Sequence, residues 1–291
     1  MDLGKLGIFY FMDGMDSPTA AGFVQRIEKL GYGTLWIPEA LGRDVMASAS
    51  WLLASTETLN IASGIANIYA RDAMATAAAQ KTLDEQSGNR FVLGLGVSHK
   101  PLVEGVRGHA QNKPLSFMST YLDAMAAAPY TSPMPASDGT TVIGALHPKM
   151  LKLAGEKTAG AHPYLMPPEH TAFARDIMGE GPLLCPEQKV LLETDPTKAR
   201  AAARAALGFY LELPNYRRSL KRFGLDEDDF NDGGSNRLID TVFAWGDEDA
   251  VRARIQAHFD AGADHVCVQP VDPEATGAID WKVLELLAPG A

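Results

Sequence analysis

The sequence predicts an α/β fold, a single (β/α)8 TIM barrel with insertions spanning residues 1–291. Three observations carry this expectation. Eight short apolar runs alternate with helical patterns from end to end. The runs are continuous rather than strictly alternating, which suits parallel strands buried on both faces. The competing eight-unit solution, an open doubly wound sheet, usually carries a G-x-G-x-x-G turn after its first strand. Here Met12-Asp13-Gly14-Met15-Asp16-Ser17 stands in that place, and Gly94-Leu95-Gly96 lies inside a run without opening a helix.

The predicted strands are Leu6 to Phe11, Thr34 to Pro38, Leu59 to Asn67, Phe91 to Val97, Thr141 to Ala145, Ala161 to Leu165, Lys189 to Glu193 and His265 to Pro270. Helix signals fill the gaps. Ser17-Pro18 reads as a cap and first helical residue, Phe23, Ile27 and Leu30 share one face, and Gly31 ends the helix. Asp195-Pro196 repeats the cap signal, and Asp247-Glu248-Asp249 places negative charge where a helix dipole favours it. One stretch breaks the rhythm: 208–237 is polar and irregular, with Asp226-Glu227-Asp228-Asp229 and Gly233-Gly234, and reads as an insertion before the last strand. A solvated excursion and a lid at the barrel mouth are both open for it.

With 46% hydrophobic residues the chain can fill one large core. A net charge of -10 argues against a nucleic-acid surface. Cys185 and Cys267 form no disulfide framework and suit a reducing compartment. No signal peptide and no run long enough for a membrane helix are evident, so a cytoplasmic protein is expected.

Chemistry in such a barrel sits at the C-terminal strand ends. These ends are apolar and aromatic, with no metal spacing, nucleophile elbow or Walker loop, which suits a flat cofactor that carries its own chemistry. Glu39, after Leu35-Trp36-Ile37-Pro38, is placed to act as an acid or base, or to be an ion-pair partner. His99, after Gly96-Val97-Ser98, is a second catalytic candidate, or a loop histidine bound to backbone. Asn67 either contacts a heterocycle or caps a turn. Gly144-Ala145-Leu146-His147-Pro148-Lys149 has the small residues and helix-opening proline of a phosphate cradle.

The run Leu83-Asp84-Glu85-Gln86-Ser87-Gly88-Asn89-Arg90-Phe91, followed by Leu93-Gly94-Leu95-Gly96-Val97, resembles the luciferase-like monooxygenase superfamily. Gly31-Tyr32-Gly33-Thr34-Leu35-Trp36 and Ala261-Gly262-Ala263-Asp264 extend the likeness over nearly the whole chain. Val97-Ser98-His99-Lys100-Pro101-Leu102-Val103 and Leu213-Pro214-Asn215-Tyr216-Arg217 are similar to a subgroup assigned to the deazaflavin coenzyme F420. The resemblance implies a non-prolyl cis peptide near Ser63-Gly64-Ile65, with the cofactor ring against it. It implies cofactor contacts at Ser63, Gly64, Ile65, Asn67, Ser98, Ala145, Leu146, His147 and Lys149. The family's turn after the fifth strand often reads glycine-proline-lysine; here His147 takes the glycine's place. The acid-histidine pair of its alcohol dehydrogenases is also broken, since Ala40 follows Glu39.

The expected function is hydride transfer between F420 and a small organic substrate. An FMN-dependent monooxygenase and a non-catalytic flavin-binding barrel are the alternatives. Lys100, Arg107, His147, Lys149, Arg217 and Arg218 are candidate rim cations for the anionic tail of F420. Charge-poor helices around Met46 to Ala54 and Ala73 to Ala79 suggest a homodimer.

Overall fold

The computed structural model describes residues 1–274 and 276–290, with every side chain but that of Phe209. Its elements in chain order are β1 (Leu6–Phe9), α1 (Ser17–Lys29), β2 (Thr34–Ile37), α2 (Val45–Ala54), β3 (Asn60–Ser63), β4 (Ala66–Asn67), α3 (Ala73–Ser87), β5 (Phe91–Gly96), α4 (Pro114–Ala126), β6 (Thr140–Ile143), α5 (Pro148–Lys157) and β7 (Gly160–Ala161). There follow α6 (Pro168–Met178), β8 (Leu183–Leu184), β9 (Glu187–Leu192), α7 (Pro196–Leu207), α8 (Pro214–Arg222), α9 (Asn236–Val242), β10 (Phe243–Gly246), α10 (Glu248–Asp260), β11 (Val266–Pro270) and α11 (Trp281–Leu286).

The strand pairs are all parallel, and their order runs β10-β9-β11-β1-β2-β3-β5-β6-β7-β8. The ring closes because β8 runs into β9. The N–H groups of Cys185 and Glu187 donate to Ala161 and Pro163 on one side, while Cys267 donates back to Pro186 on the other. The expected barrel is therefore the one the chain forms.

Burial on both faces explains the continuous apolar runs: β2, β3 and β5 are buried along their whole length. Inward side chains fill the lumen. Trp36 stacks on His162 at 4.3 Å and donates its indole N–H to His265 at 3.0 Å. Gly7 has no alternative, because a Cβ there would lie 2.5 Å from the His265 ring. Each large side chain so buried stabilises the fold by about 2–3 kcal/mol.

Four details differ from the sequence reading. The cap of α1 is Asp16, whose carboxylate accepts from the Thr19 N–H, one residue before the expected Ser17. The third strand is interrupted at Gly64-Ile65 and resumes as β4. A parallel strand, β10, joins the far edge of β9 and had no expected counterpart. The stretch 208–237 is ordered into α8 between 3-10 turns at Gly208–Glu212 and Asp228–Phe230. Leu211, Leu213, Tyr216, Leu220 and Leu225 bury into a second apolar cluster beside β9 and β10.

Candidate active site

The strand ends converge on a cavity of about 210 Å³ at the C-terminal face. Its floor is nearly free of side chains. Gly64, Gly96 and Gly144 lie at neighbouring strand ends, and Ile65 spans them; a Cβ at Gly96 would collide with the Ile65 side chain. The Gly64–Ile65 peptide is cis, within the expected window. A Cβ at Gly64 would meet the Phe9 ring at 2.9 Å and His162 Nε2 at 3.3 Å. Glycine is therefore required where the floor is thinnest.

The walls are aromatic: Phe9, Phe11, Tyr164, Tyr210, Tyr216 and the ring of His99. Tyr164 lies 5.3 Å from Tyr210, which lies 5.6 Å from Tyr216, which in turn lies 5.6 Å from His99. Spacing and tilt of this kind stabilise aromatic clusters. A single turn of π-helix, Pro101–Val106, follows His99 and adds Leu102 to the wall. Ser98 adopts a left-handed backbone, which turns the chain sharply at the end of β5.

Of the expected site residues, Glu39, His99, Gly64, Ile65, Ser98, Ala145 and Leu146 line this cavity. Glu39 does so as an ion-pair partner. Its carboxylate takes both terminal nitrogens of Arg71, at 2.5 and 2.9 Å, and the Asn67 N–H at 2.7 Å. Both carboxylate oxygens are thus engaged, by the guanidinium and by the backbone. Burial lowers the pKa of His99, which keeps the imidazole neutral near pH 7.

Ser63, Asn67, His147 and Lys149 do not line the cavity. The Ser63 hydroxyl donates to the Gly94 carbonyl at 2.8 Å and accepts its N–H at 2.9 Å, riveting β3 to β5. Asn67 caps the next turn by accepting the Tyr69 N–H at 2.9 Å. The Ser63 hydroxyl is thus taken up by the sheet, whereas Asn67 caps the turn with Oδ1 and keeps its Nδ2 buried without a partner.

His147 and Lys149 lie at the rim, on the start of α5. That helix opens with Pro148 and has no side chain capping its first turn. Exposed N–H groups and the helix dipole favour an anion there. Burial, then Arg218 and Arg222 of α8, push the His147 pKa down, and its Nε2 is buried without a partner. Of the other expected rim cations, Lys100 pairs with Glu104 at 3.6 Å and Arg217 with Glu227 at 2.7 Å.

Sequence reasoning missed His162, Tyr210 and Arg222. His162 donates from Nδ1 to the Cys185 carbonyl at 2.7 Å, which leaves Nε2 as a buried acceptor under the floor without a partner. Burial holds its pKa down at about 4. Tyr216 and Leu220 after a helix-opening Pro214 were the signal for α8, obscured by its four basic residues. A flat glycine floor, aromatic walls and an uncapped helix start flanked by arginines fit a planar ring carrying a phosphate. Among the described residues no cluster could hold a metal ion, and no helix is long and apolar enough to cross a membrane.

Known proteins share this frame. The family model described as luciferase-like monooxygenase matches residues 12–265. A Mycobacterium tuberculosis protein, provisionally named a coenzyme F420-dependent oxidoreductase, is 28% identical over 250 residues, or 71% of this chain and 72% of its own. The coenzyme F420-dependent tetrahydromethanopterin reductase of Methanopyrus kandleri superposes with a TM-score of 0.79 and 20% identity, over 100% of this chain and 99% of its own. The oxygenating constituent of 3,6-diketocamphane monooxygenase from the CAM plasmid of Pseudomonas putida, solved with FMN, superposes at 0.74 with 17% identity, over 100% and 98%. At these identities the structural likenesses establish the fold.

Proposed function

The chain belongs to the luciferase-like monooxygenase family of enzymes, and from that premise we propose that it uses coenzyme F420 to move hydride to or from a small organic substrate. One observation carries the preference for F420 over FMN. The uncapped start of α5 is extended by a second basic element, since Arg218 and Arg222 of α8 face His147 and both are exposed. FMN ends at its phosphate, whereas F420 continues into a carboxylate-bearing tail, which such additional cations suit.

In this reading Gly64, Ile65, Ser98, Ala145 and Leu146 hold the ring. The first amides of α5, with His147 and Lys149, hold the phosphate, and Arg218 and Arg222 hold the tail. When bound, the cofactor supplies the hydride-carrying carbon. The chain's own part is to exclude water and orient the ring. Phe9, Phe11, Tyr210 and Tyr216 dry the cavity. Glu39 fixes Arg71 and the backbone at Asn67, which steadies the strand end beside the floor. His99, neutral and against Tyr216, presents an imidazole to the cavity wall. The free, buried Cys185 and Cys267 support a reducing compartment such as the cytoplasm.

Parallel absorbance titrations of the apo-protein with F420 and FMN test the proposal. F420 should bind more tightly, and its advantage should shrink as salt rises or when Arg218 and Arg222 are both replaced by alanine. Equal or tighter binding of FMN would place the protein among the flavin monooxygenases. Binding of F420 without reduction or oxidation of any substrate would leave a carrier.

A further inference from the structure

Below the aromatic wall, β9 sends two ionisable side chains into the barrel. Glu187 and Lys189, two residues apart on a strand, share its inward face and are each about 1% exposed. All three Lys189 protons are placed. Nζ donates to Glu187 Oε1 at 3.2 Å, to Gln269 Oε1 at 2.7 Å and to the Tyr164 hydroxyl at 2.7 Å. The other Glu187 oxygen accepts the Leu165 N–H at 3.0 Å. Buried pairs of this kind return little net stability compared with apolar residues of equal volume, so packing does not explain the pair.

Its outlet does. Tyr164 lines the cavity; its hydroxyl donates to Gln269 Oε1 at 2.9 Å and lies 3.3 Å from the hydroxyl of Tyr210, which lines the cavity too. Tyr210 and Phe11 form the partition between the cavity and an open cleft bordered by Tyr10, Gln269 and Asp272. A hydrogen-bonded chain thus runs from a buried ammonium, through a phenol on the cavity wall, to a phenol at the edge of solvent.

We propose that Tyr164 exchanges the proton that accompanies hydride transfer in the cavity, with Lys189 as the positioning residue behind it. This rests on the reading above that reduced coenzyme F420 delivers hydride to the substrate. The substrate class is then a polarised C=O or C=N group, or the alcohol or amine formed from it. As the substrate carbon gains hydride, its oxygen or nitrogen gains a proton. The O–H bond of Tyr164 breaks, its electron pair stays on the phenolate oxygen, and the new O–H or N–H bond forms on substrate. The phenolate takes a proton from Nζ of Lys189, whose N–H pair remains on a neutral amine beside Glu187. The proton is replaced from the cleft by way of Tyr210 and Tyr164. Substrate oxidation reverses each step.

Burial raises the phenol pKa of Tyr164 and lowers the ammonium pKa of Lys189, so a phenolate formed at Tyr164 draws its proton back from Lys189. The titratable groups facing this pair are Glu187 on β9, Tyr210 in the 3-10 turn, Tyr216 on α8 and Cys267 on β11.

Two arms test it. With substrate and cofactor, Tyr164→Phe should lower turnover about 100-fold while cofactor affinity changes less than about threefold. Turnover within about threefold of the parent overturns the proposal. Independently of any cofactor, 3-fluorotyrosine at position 164 of the apo-protein should show a fluorine NMR inflection below the ordinary lysine range, from Lys189. The charge-neutral double variant Lys189→Met with Glu187→Gln, chosen because Lys189→Met alone strands a buried carboxylate, should abolish it. An inflection absent from the parent, or unchanged in the variant, overturns the proposal. If the parent binds neither cofactor, the functional reading fails, but the fluorine arm still decides the coupling.

Discussion

At the scale of single residues, the site shows how a neighbour decides what a side chain does. Glu39 was legible as a carboxylate at a strand end, with acid–base and ion-pair readings both open. Arg71, 32 positions away, settles its contacts. The carboxylate is about 5% exposed and Arg71 about 13%, so Glu39→Gln leaves a buried guanidinium underpaired and should cost about 3 kcal/mol. Arg71 also touches Asp44, but that carboxylate is about 54% exposed and caps α2. Asp44→Asn keeps the cap and should cost less than about 1 kcal/mol. Urea midpoints for the two variants check the contrast; equal losses would show that Glu39 is not the partner that matters. Asp84 offers a second test, away from the cavity. Its two oxygens are buried without partners, and burial raises its pKa to about 7. An unfolded aspartate has a pKa of about 3.9. Between these values the folded chain holds a proton that the unfolded chain has released, so stability falls as pH rises from about 4 to 7 and is level above. The penalty is on the order of 4 kcal/mol at pH 8. The melting temperature of Asp84→Asn should therefore gain on the parent from pH 5.5 to 7.5, and a constant difference would refute the assignment. That aspartate was visible in the sequence only as part of a motif. Its lack of partners is a property of what α3 packs against.

At the scale of elements, the eight barrel strands were legible because burial on both faces writes them as apolar runs. Strand β10 was not, since Phe243-Ala244-Trp245-Gly246 directly follows a short helix with no turn residues between. Helix α8 was read as irregular because its buried face, Tyr216, Ser219 and Leu220, is narrow and its other residues are mostly charged. The floor was legible in part. Gly94-Leu95-Gly96 could be seen as unusual, but its reason is the third-strand interruption, which lays Ile65 across β5. This gives a paired prediction. Gly96→Ala places a methyl group into the Ile65 side chain and must displace it, costing about 1–3 kcal/mol and weakening cofactor binding about tenfold or more. Gly144→Ala brings its methyl only to 3.6 Å from Ile65, ordinary contact, and should leave stability within about 0.5 kcal/mol of the parent. Thermal melts and cofactor titrations of both variants decide it; equal tolerance would mean Ile65 does not form the floor.

At the scale of the whole molecule, the net charge of -10 leaves the cations near α5 as a local exception, and surface apolarity is a local exception as well. Helix α2 carries no charged side chain at all, and the first eight residues of α3, Ala73 to Gln80, carry none. The two helices pack side by side on the outside of the barrel, where water is the default neighbour. Trp51 on α2 is 48% exposed and Met74 on α3 is 57% exposed. An outer helix face without charges, bearing a tryptophan and a methionine, is costly to leave wet. We propose that a second copy covers it through a two-fold axis, so that each contact is made twice. Light scattering at micromolar concentration should then give about twice the 31.2 kDa chain mass. Met74→Glu places two charges into such an interface by symmetry and should return the mass to that of one chain, with the helical circular dichroism unchanged. Because α2 and α3 follow the strands that carry Glu39, Arg71 and the floor, the monomeric variant should also bind cofactor less tightly. A parent of single-chain mass would remove the dimer, and the bare α2–α3 face would then need another partner.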